Sequence, residues 1–60
     1  MTRQEAISKL KDLYGDVAII EPTLFAARID RKWVLFRLCG DTLERRFEND
    51  VHSCRWDAVV

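Results

Sequence analysis

The stretch LFAARIDRKWVLFRLC, residues Leu24 to Cys39, decides the fold. Two apolar-rich runs, Leu24–Ile29 and Trp33–Cys39, flank a polar break. Closed as a hairpin about Arg31-Lys32, they set Ile29 opposite Val34, Ala27 opposite Phe36 and Phe25 opposite Leu38. One face is then wholly apolar. A slip of one residue would turn each of these side chains to the other face, so the pattern specifies register. Arg-Lys is not a favoured two-residue loop, which leaves room for a wider one.

Toward the C-terminus, Gly40-Asp41 suits the first two central positions of a type II′ turn. That turn sets Leu38 against Leu43 and Val34 against Phe47 on the inner face, and Arg37 against Glu44 on the outer. Arg45 then falls inside, opposite Phe36, against the pattern. A second short helix over residues 42–50 is the rival reading, since Asp41-x-x-Glu44 resembles a helix cap and Leu43, Phe47 and Val51 are four apart. Turn chemistry and face matching agree independently on the strand. Asn49-Asp50 is a third turn signal. Continuing the meander predicts His52, Cys54, Trp56 and Ala58 inside, Ser53, Arg55 and Asp57 outside, and Glu44 opposite Arg55.

Toward the N-terminus the period changes from two to three and four. Ile7, Leu10, Tyr14 and Val17 recur at helical steps, and Ala6 and Leu13 widen the stripe. Thr2-x-x-Glu5 is a capping-box pattern, and Gly15 stands where a left-handed C-terminal cap would fall. The spacing predicts a helix over Arg3–Tyr14. Val17–Ile20 reads as a short strand, and Glu21-Pro22-Thr23 as a turn or sheet edge, because Pro lacks a ladder donor.

These elements predict an α+β fold: an N-terminal helix on one face of a four- or five-stranded antiparallel meander. A small SH3-like barrel with one helix at its side is the alternative. Sixty residues make one domain, spanning 1–60, near the lower limit for an unaided core. Hydrophobic residues are 48% and charged residues 33%, which argues against disorder. Ten basic and ten acidic residues cancel, so neither a polybasic tail nor an acidic DNA mimic is indicated.

Several function classes recede on the same grounds. No unbroken apolar run exceeds that of Val17–Ile20, four residues and far short of the ~20 a membrane helix needs. No apolar leader follows Met1, so the reading is a cytoplasmic protein with reduced thiols. Cys39, His52, Cys54 and Asp57 include zinc-ligand types, but no tight Cys-x-x-Cys pair is present, and small buried thiols fit better than a metal site. One Cys–His pair is conceivable as a nucleophile and base. A meander of this size has little room for a substrate cleft, and the two glycines are isolated and serve turns. The expectation is a non-enzymatic chain without cofactor, metal or small-molecule substrate.

Two binding readings remain. Arg28, Arg31, Lys32, Arg37, Arg45, Arg46 and Arg55 lie among Phe25, Trp33, Phe36 and Phe47, a combination that tracks and stacks single-stranded nucleic acid. On the predicted outer face, however, Arg28, Arg37, Arg46 and Arg55 meet Asp30, Glu44, Glu48 and Asp57, which reads as a salt-laddered solvated surface. The nucleic-acid set is therefore Arg31, Lys32, Arg46 and Arg55, with the 31–32 turn as its one local basic excess. The feature least explained by solvation is the apolar corner of Leu24, Ala26, Trp33 and Leu35, on the face away from the helix. An apolar patch on a small protein marks a contact, and Trp is enriched at binding hot spots. The favoured expectation is a protein-binding accessory or regulatory protein, a second copy of itself being one candidate partner. Leu24, Trp33 and Leu35 would be its anchors, with Arg28 and Arg37 as rim. Bacteriophages and mobile elements carry many proteins of this size, an association rather than a reading of residues.

Overall fold

A computed structural model describes residues 1–48 and 54–59. Helix α1 (Arg3–Tyr14) precedes five strands: β1 (Val17–Glu21), β2 (Leu24–Ile29), β3 (Lys32–Cys39), β4 (Thr42–Glu48) and β5 (Cys54–Ala58). The strands form one open antiparallel sheet in the order β1-β2-β3-β4-β5, with α1 packed on one face over β1 and β2. The α+β meander of the sequence is thus the fold. Neither the barrel nor the second helix forms: the sheet stays open, and residues 42–48 are strand.

The helix starts and stops where the sequence dictates. The Thr2 hydroxyl accepts from the Glu5 N–H at 3.2 Å, and the Thr2 N–H donates to the Glu5 carboxylate at 3.0 Å, a complete capping box. The Glu5 carboxyl is held below its ordinary pKa, chiefly by the bond from the Thr2 backbone and then by its side chain. Gly15 ends the helix at φ +87° and donates to the Lys11 carbonyl. Its ψ of −68° lies outside the expected left-handed helical well, in a region open to glycine but costly for any residue with a Cβ. The Arg3 guanidinium donates to the Pro22 carbonyl at 2.7 Å, tying the helix start to the β1–β2 turn.

Ala6, Ile7 and Leu10 meet Phe25, Ala27, Phe36 and Leu43 in the core, with Tyr14, Val17, Ile29, Val34 and Leu38 around them. Tyr14 and Phe36 are tilted at 37° with ring centroids 5.5 Å apart, a favourable aromatic geometry.

The hairpin turns behave unequally. About Gly40-Asp41 the expected pairs Leu38↔Leu43, Arg37↔Glu44 and Phe36↔Arg45 all form, and Gly40 has φ +61° as a II′ turn needs at that position. The first hairpin turns one residue earlier, at Asp30-Arg31, with φ of +51° and +68°. Positive φ at both central residues is the sign of a type I′ turn, whose twist matches the strands. The pairs are Ile29↔Lys32, Ala27↔Val34 and Phe25↔Phe36, two residues from the predicted register. The shift is even, so every side chain keeps its face.

Two larger corrections fall on the C-terminal hairpin. Glu44 pairs with Ala58, Arg45 with Asp57, Arg46 with Trp56 and Phe47 with Arg55. Arg55 and Asp57 therefore share the helix-side face, while Trp56 and Ala58 lie on the outer face, the reverse of the expectation. The reason is coverage. Twelve helical residues span about 18 Å, and α1 packs over β1 and β2. Above β5 the helix-side face is not an apolar interior, so apolar residues gain nothing by pointing there. The second correction is that Val34 and Phe47 do not pair: the β3–β4 ladder ends at Phe36↔Arg45. The Asn49-Asp50 turn, Val51, His52 and Ser53 lie outside the described residues.

Candidate functional site

Cross-strand partners share a face, so the registers define the surface opposite the helix. Arg28 stands beside Trp33, Ala26 beside Leu35, and Leu24, Arg37, Glu44 and Ala58 form one continuous row across four strands. Trp56 joins this face beside Arg46. Of the expected apolar corner, Trp33 is 56% exposed, Leu24 and Leu35 are half-buried, and Ala26 is buried. The corner is narrower than the sequence suggested and is dominated by the one indole.

Arg37, the second cation expected at the rim, is anchored to its neighbours. Its Nε donates to Glu44 Oε1 at 2.7 Å, and its guanidinium carbon sits 4.3 Å above the Trp56 ring. It links β3 to β4 and β5 at once. Arg28 is exposed next to Trp33 on the outer face.

The four cations of the nucleic-acid reading do not share a surface. Arg31 is at the tip of the first hairpin, Lys32 and Arg55 are on the helix side, and Arg46 is on the outer side. Arg55 is bound to Asp57 at 2.8 Å, with its guanidinium carbon 5.6 Å from the Phe47 centroid. Lys32 and Arg46 do come together elsewhere, at the end of the β3–β4 ladder.

That end is a fork. Extending the ladder past Leu35 and Arg46 would set Val34 against Phe47 and Trp33 against Glu48, but neither pair forms. β4 instead stays with β5 as far as Glu48↔Cys54. The gap between the diverging strands is a cleft of about 400 Å³ lined, among the described residues, by Lys32, Trp33, Val34, Leu35, Arg45, Arg46 and Phe47. Three of these are cations and none is acidic. Arg45, the misfit of the sequence pattern, stacks over Phe47 with its guanidinium carbon 4.7 Å from the ring centroid. Its Nε is buried and meets no acceptor among the described residues.

Backbone directions in the cleft follow from the ladder. In an antiparallel pair, alternate residues turn both N–H and C=O toward the same neighbour. Leu38 N–H donates to the Thr23 carbonyl on the β2 side. By alternation Phe36, Val34 and Lys32 also address β2, while Arg37, Leu35 and Trp33 address β4. Val59 N–H donates to the Leu43 carbonyl, so Leu43, Arg45 and Phe47 address β5, and Arg46 addresses β3. Trp33 therefore turns its N–H and C=O toward the cleft, while Leu35 is still tied to Arg46 by the flanking bond that defines the last pair, Phe36↔Arg45.

The cleft was missed in the sequence because a fork is a long-range event. The one visible sign was Arg45 opposite Phe36, a cation at an inner position at the last pair of the ladder. Among the described residues, no three His, Cys, Asp or Glu side chains cluster as metal ligands, and Cys39 is exposed. No helix among the described residues is long and apolar enough to cross a membrane. Compared with known proteins, the chain matches no family model, no curated protein and no solved structure.

Proposed function

We propose that this chain is a small, non-enzymatic accessory or regulatory protein of the cytoplasm that works by binding another protein through the outer face of its sheet. One observation carries the reading. Trp33 is more than half exposed on the face away from the helix, and it sits with Leu35 at the wall of the β3–β4 cleft. A large aromatic held at a cleft by a rigid sheet is the usual form of a hot spot. Leu24 and Leu35 supply the apolar surround, Arg28 the rim, and Arg37 a rigid brace behind it. Arg31, Lys32, Arg46 and Arg55 would carry the nucleic-acid alternative, which draws its support from Lys32 and Arg46 lining the cleft beside Trp33.

The test is Trp33→Ala against Arg31→Ala combined with Lys32→Ala. Proteins retained from an extract of the native cell are quantified on each variant and on the wild type. Trp33→Ala is expected to weaken retention of a specific partner by ~2 kcal/mol or more, roughly thirtyfold, with the circular dichroism spectrum unchanged. The double variant is expected to retain the partner. Equal retention by Trp33→Ala and the wild type would refute the reading. Nucleic-acid retention that collapses with salt and with the double variant would replace it.

A further inference from the structure

We propose that two copies of this chain pair through the open edge of β1, antiparallel about a twofold axis at Ala18, and so form one continuous sheet. The contact goes beyond the protein-binding reading, since it leaves Trp33 and the outer face free.

The backbone sets the register. β1 and β5 are the two edges of the sheet. Arg28 N–H donates to the Asp16 carbonyl, so Asp16 and Ala18 turn their backbone groups to β2, and Val17 and Ile19 turn theirs outward. The ladder is regular from Val17 to Ile19, shifts before Glu21, and is followed by Pro22. Bulges and proline close an edge to further strands, and here they close only its far end. With Ala18 opposite Ala18 of the second copy, each Val17 meets an Ile19, and the outward N–H and C=O of both are satisfied. A register centred on Ile19 would set Val17 against Glu21, which is already paired with Leu24. One centred on Val17 would set Ile19 against Gly15, whose N–H is bound to Lys11.

The side chains agree with that register. Ile19 lies on the helix side beside the fully buried Phe25, yet it is 52% exposed. Pairing joins the row Phe36, Phe25, Ile19 of one copy to the row Val17, Ala27, Val34 of the other, so the two cores become continuous. No like charges stand directly opposite: Asp16 meets Ile20, and Glu21 meets Gly15. The β5 edge differs, because Arg55 and Asp57 are exposed there, and charges on an edge discourage pairing.

The size of the contact fixes its strength. A twofold axis normal to the sheet keeps both helices on one face. α1 lies over β1 and β2, so at a strand spacing of ~4.8 Å the two helix axes come about 10 Å apart, the separation of packed helices. Five strand residues and a helix flank from each copy approach the ~1,000 Å² at which specific interfaces begin. The dimer is therefore of the weak class, with a dissociation constant on the order of 10–100 μM. It presents two copies of Trp33 on the same side of one sheet.

Sedimentation equilibrium over a concentration series spanning that constant is expected to show a monomer–dimer equilibrium. Sixty residues are within reach of chemical synthesis, so the Ile19 nitrogen can be methylated. That removes an outward donor and leaves the β1–β2 ladder whole. The dissociation constant should rise roughly tenfold or more, with the circular dichroism spectrum unchanged. The register is read by cross-linking under oxidised glutathione, in a chain carrying Cys39→Ala and Cys54→Ala. Cα atoms of a non-hydrogen-bonded antiparallel pair are ~4.5 Å apart, within disulfide reach. Ala18→Cys is therefore expected to form a disulfide dimer, and Ile20→Cys, on the same strand, is not.

A monomer mass throughout the series would overturn the proposal. So would association unchanged by N-methylation, or cross-linking at Ile20→Cys equal to that at Ala18→Cys. Loss of self-association in Trp33→Ala would also overturn it, by placing the contact on the outer face. If Trp33→Ala dimerises as the wild type does and still retains every protein from the extract, the protein-binding reading fails while the β1 pairing holds. If the chain stays monomeric and Trp33→Ala releases a specific partner, the β1 pairing fails while that reading holds.

Discussion

The sheet has two unlike parts. β1, β2 and β3 form its N-terminal part, with α1 over β1 and β2; β4 and β5 form a hairpin that leaves β3 after four paired positions. Among the described residues, the buried side chains are Ala6, Ile7 and Leu10 of the helix, Phe25, Ala26 and Ala27 of β2, Phe36 of β3, and only Leu43 from β4. The hairpin relies on stacked guanidinium groups instead: Arg45 and Arg55 at Phe47, and Arg37 at Trp56. Full burial of a large apolar side chain is worth ~1.5–3 kcal/mol, and an exposed cation–π contact ~0.5–1 kcal/mol. The N-terminal part thus supplies the stability, and the hairpin trades burial for polar surface at the cleft. A sheet that must both fold at this size and keep a working surface divides those tasks between its ends.

The widest test of this division compares Leu10→Ala with Trp56→Ala. Leu10 of α1 is fully buried against the sheet, and its truncation is expected to cost ~2–5 kcal/mol in a denaturant melt. Trp56 is half-buried beneath one guanidinium, and its truncation is expected to cost no more than ~1–2 kcal/mol. Equal losses would mean that the hairpin is as much core as the helix, and the division would fail.

A finer test concerns the joint between the two parts. Arg37 is the side chain that spans it, bound to Glu44 and stacked on Trp56. Its side chain is 43% exposed, so solvent screens the pair, and Arg37→Ala is expected to cost only ~1 kcal/mol. Its larger effect should be local, as faster amide exchange in β4 and β5 with α1 and β2 unchanged. Uniform acceleration across the sheet would show that the two parts do not open separately.

The same division explains which parts of the fold are legible in the sequence. The helix and its cap were legible because Thr2, Glu5 and Gly15 act on neighbours a few residues away. The Gly40-Asp41 register was legible because glycine at that position selects one turn type. The first hairpin slipped by two because Asp30 and Arg31 adopt positive φ without glycine, which sequence preference argues against. Its faces survived because the apolar alternation beneath a covering helix is a strong constraint. At β5 that constraint is gone, and the rule that apolar residues point toward the helix placed Trp56 and Arg55 on the wrong faces. Of the site, the sequence pattern singles out Trp33, Leu35, Lys32 and Arg46. The cleft they share with Arg45 and Phe47 depends on where one ladder ends, and no local pattern encodes that.

The smallest effect expected from the division is a pH dependence confined to the N-terminal part. Glu5 lies in the first turn of α1, where the helix dipole favours a negative charge, and its carboxylate accepts from the Thr2 N–H. These contacts lower its pKa in the folded chain. A depressed carboxyl pKa stabilises the fold in full above the unfolded-state value, and that contribution is lost as pH falls through the folded-state value. Glu5→Gln keeps an acceptor for the capping box and removes the charge. The wild type should therefore be the more stable of the two at neutral pH, and the gap should close on acidification through the carboxylate range. Amide exchange at Glu5 and Ala6 should quicken over the same interval, with β4 and β5 unaffected by the substitution at every pH. A gap that persisted at low pH would assign the effect to side-chain shape rather than charge. A gap that appeared equally in β4 and β5 would mean that the cap stabilises the whole sheet as one unit, and the contrast between its two parts would then be one of composition alone.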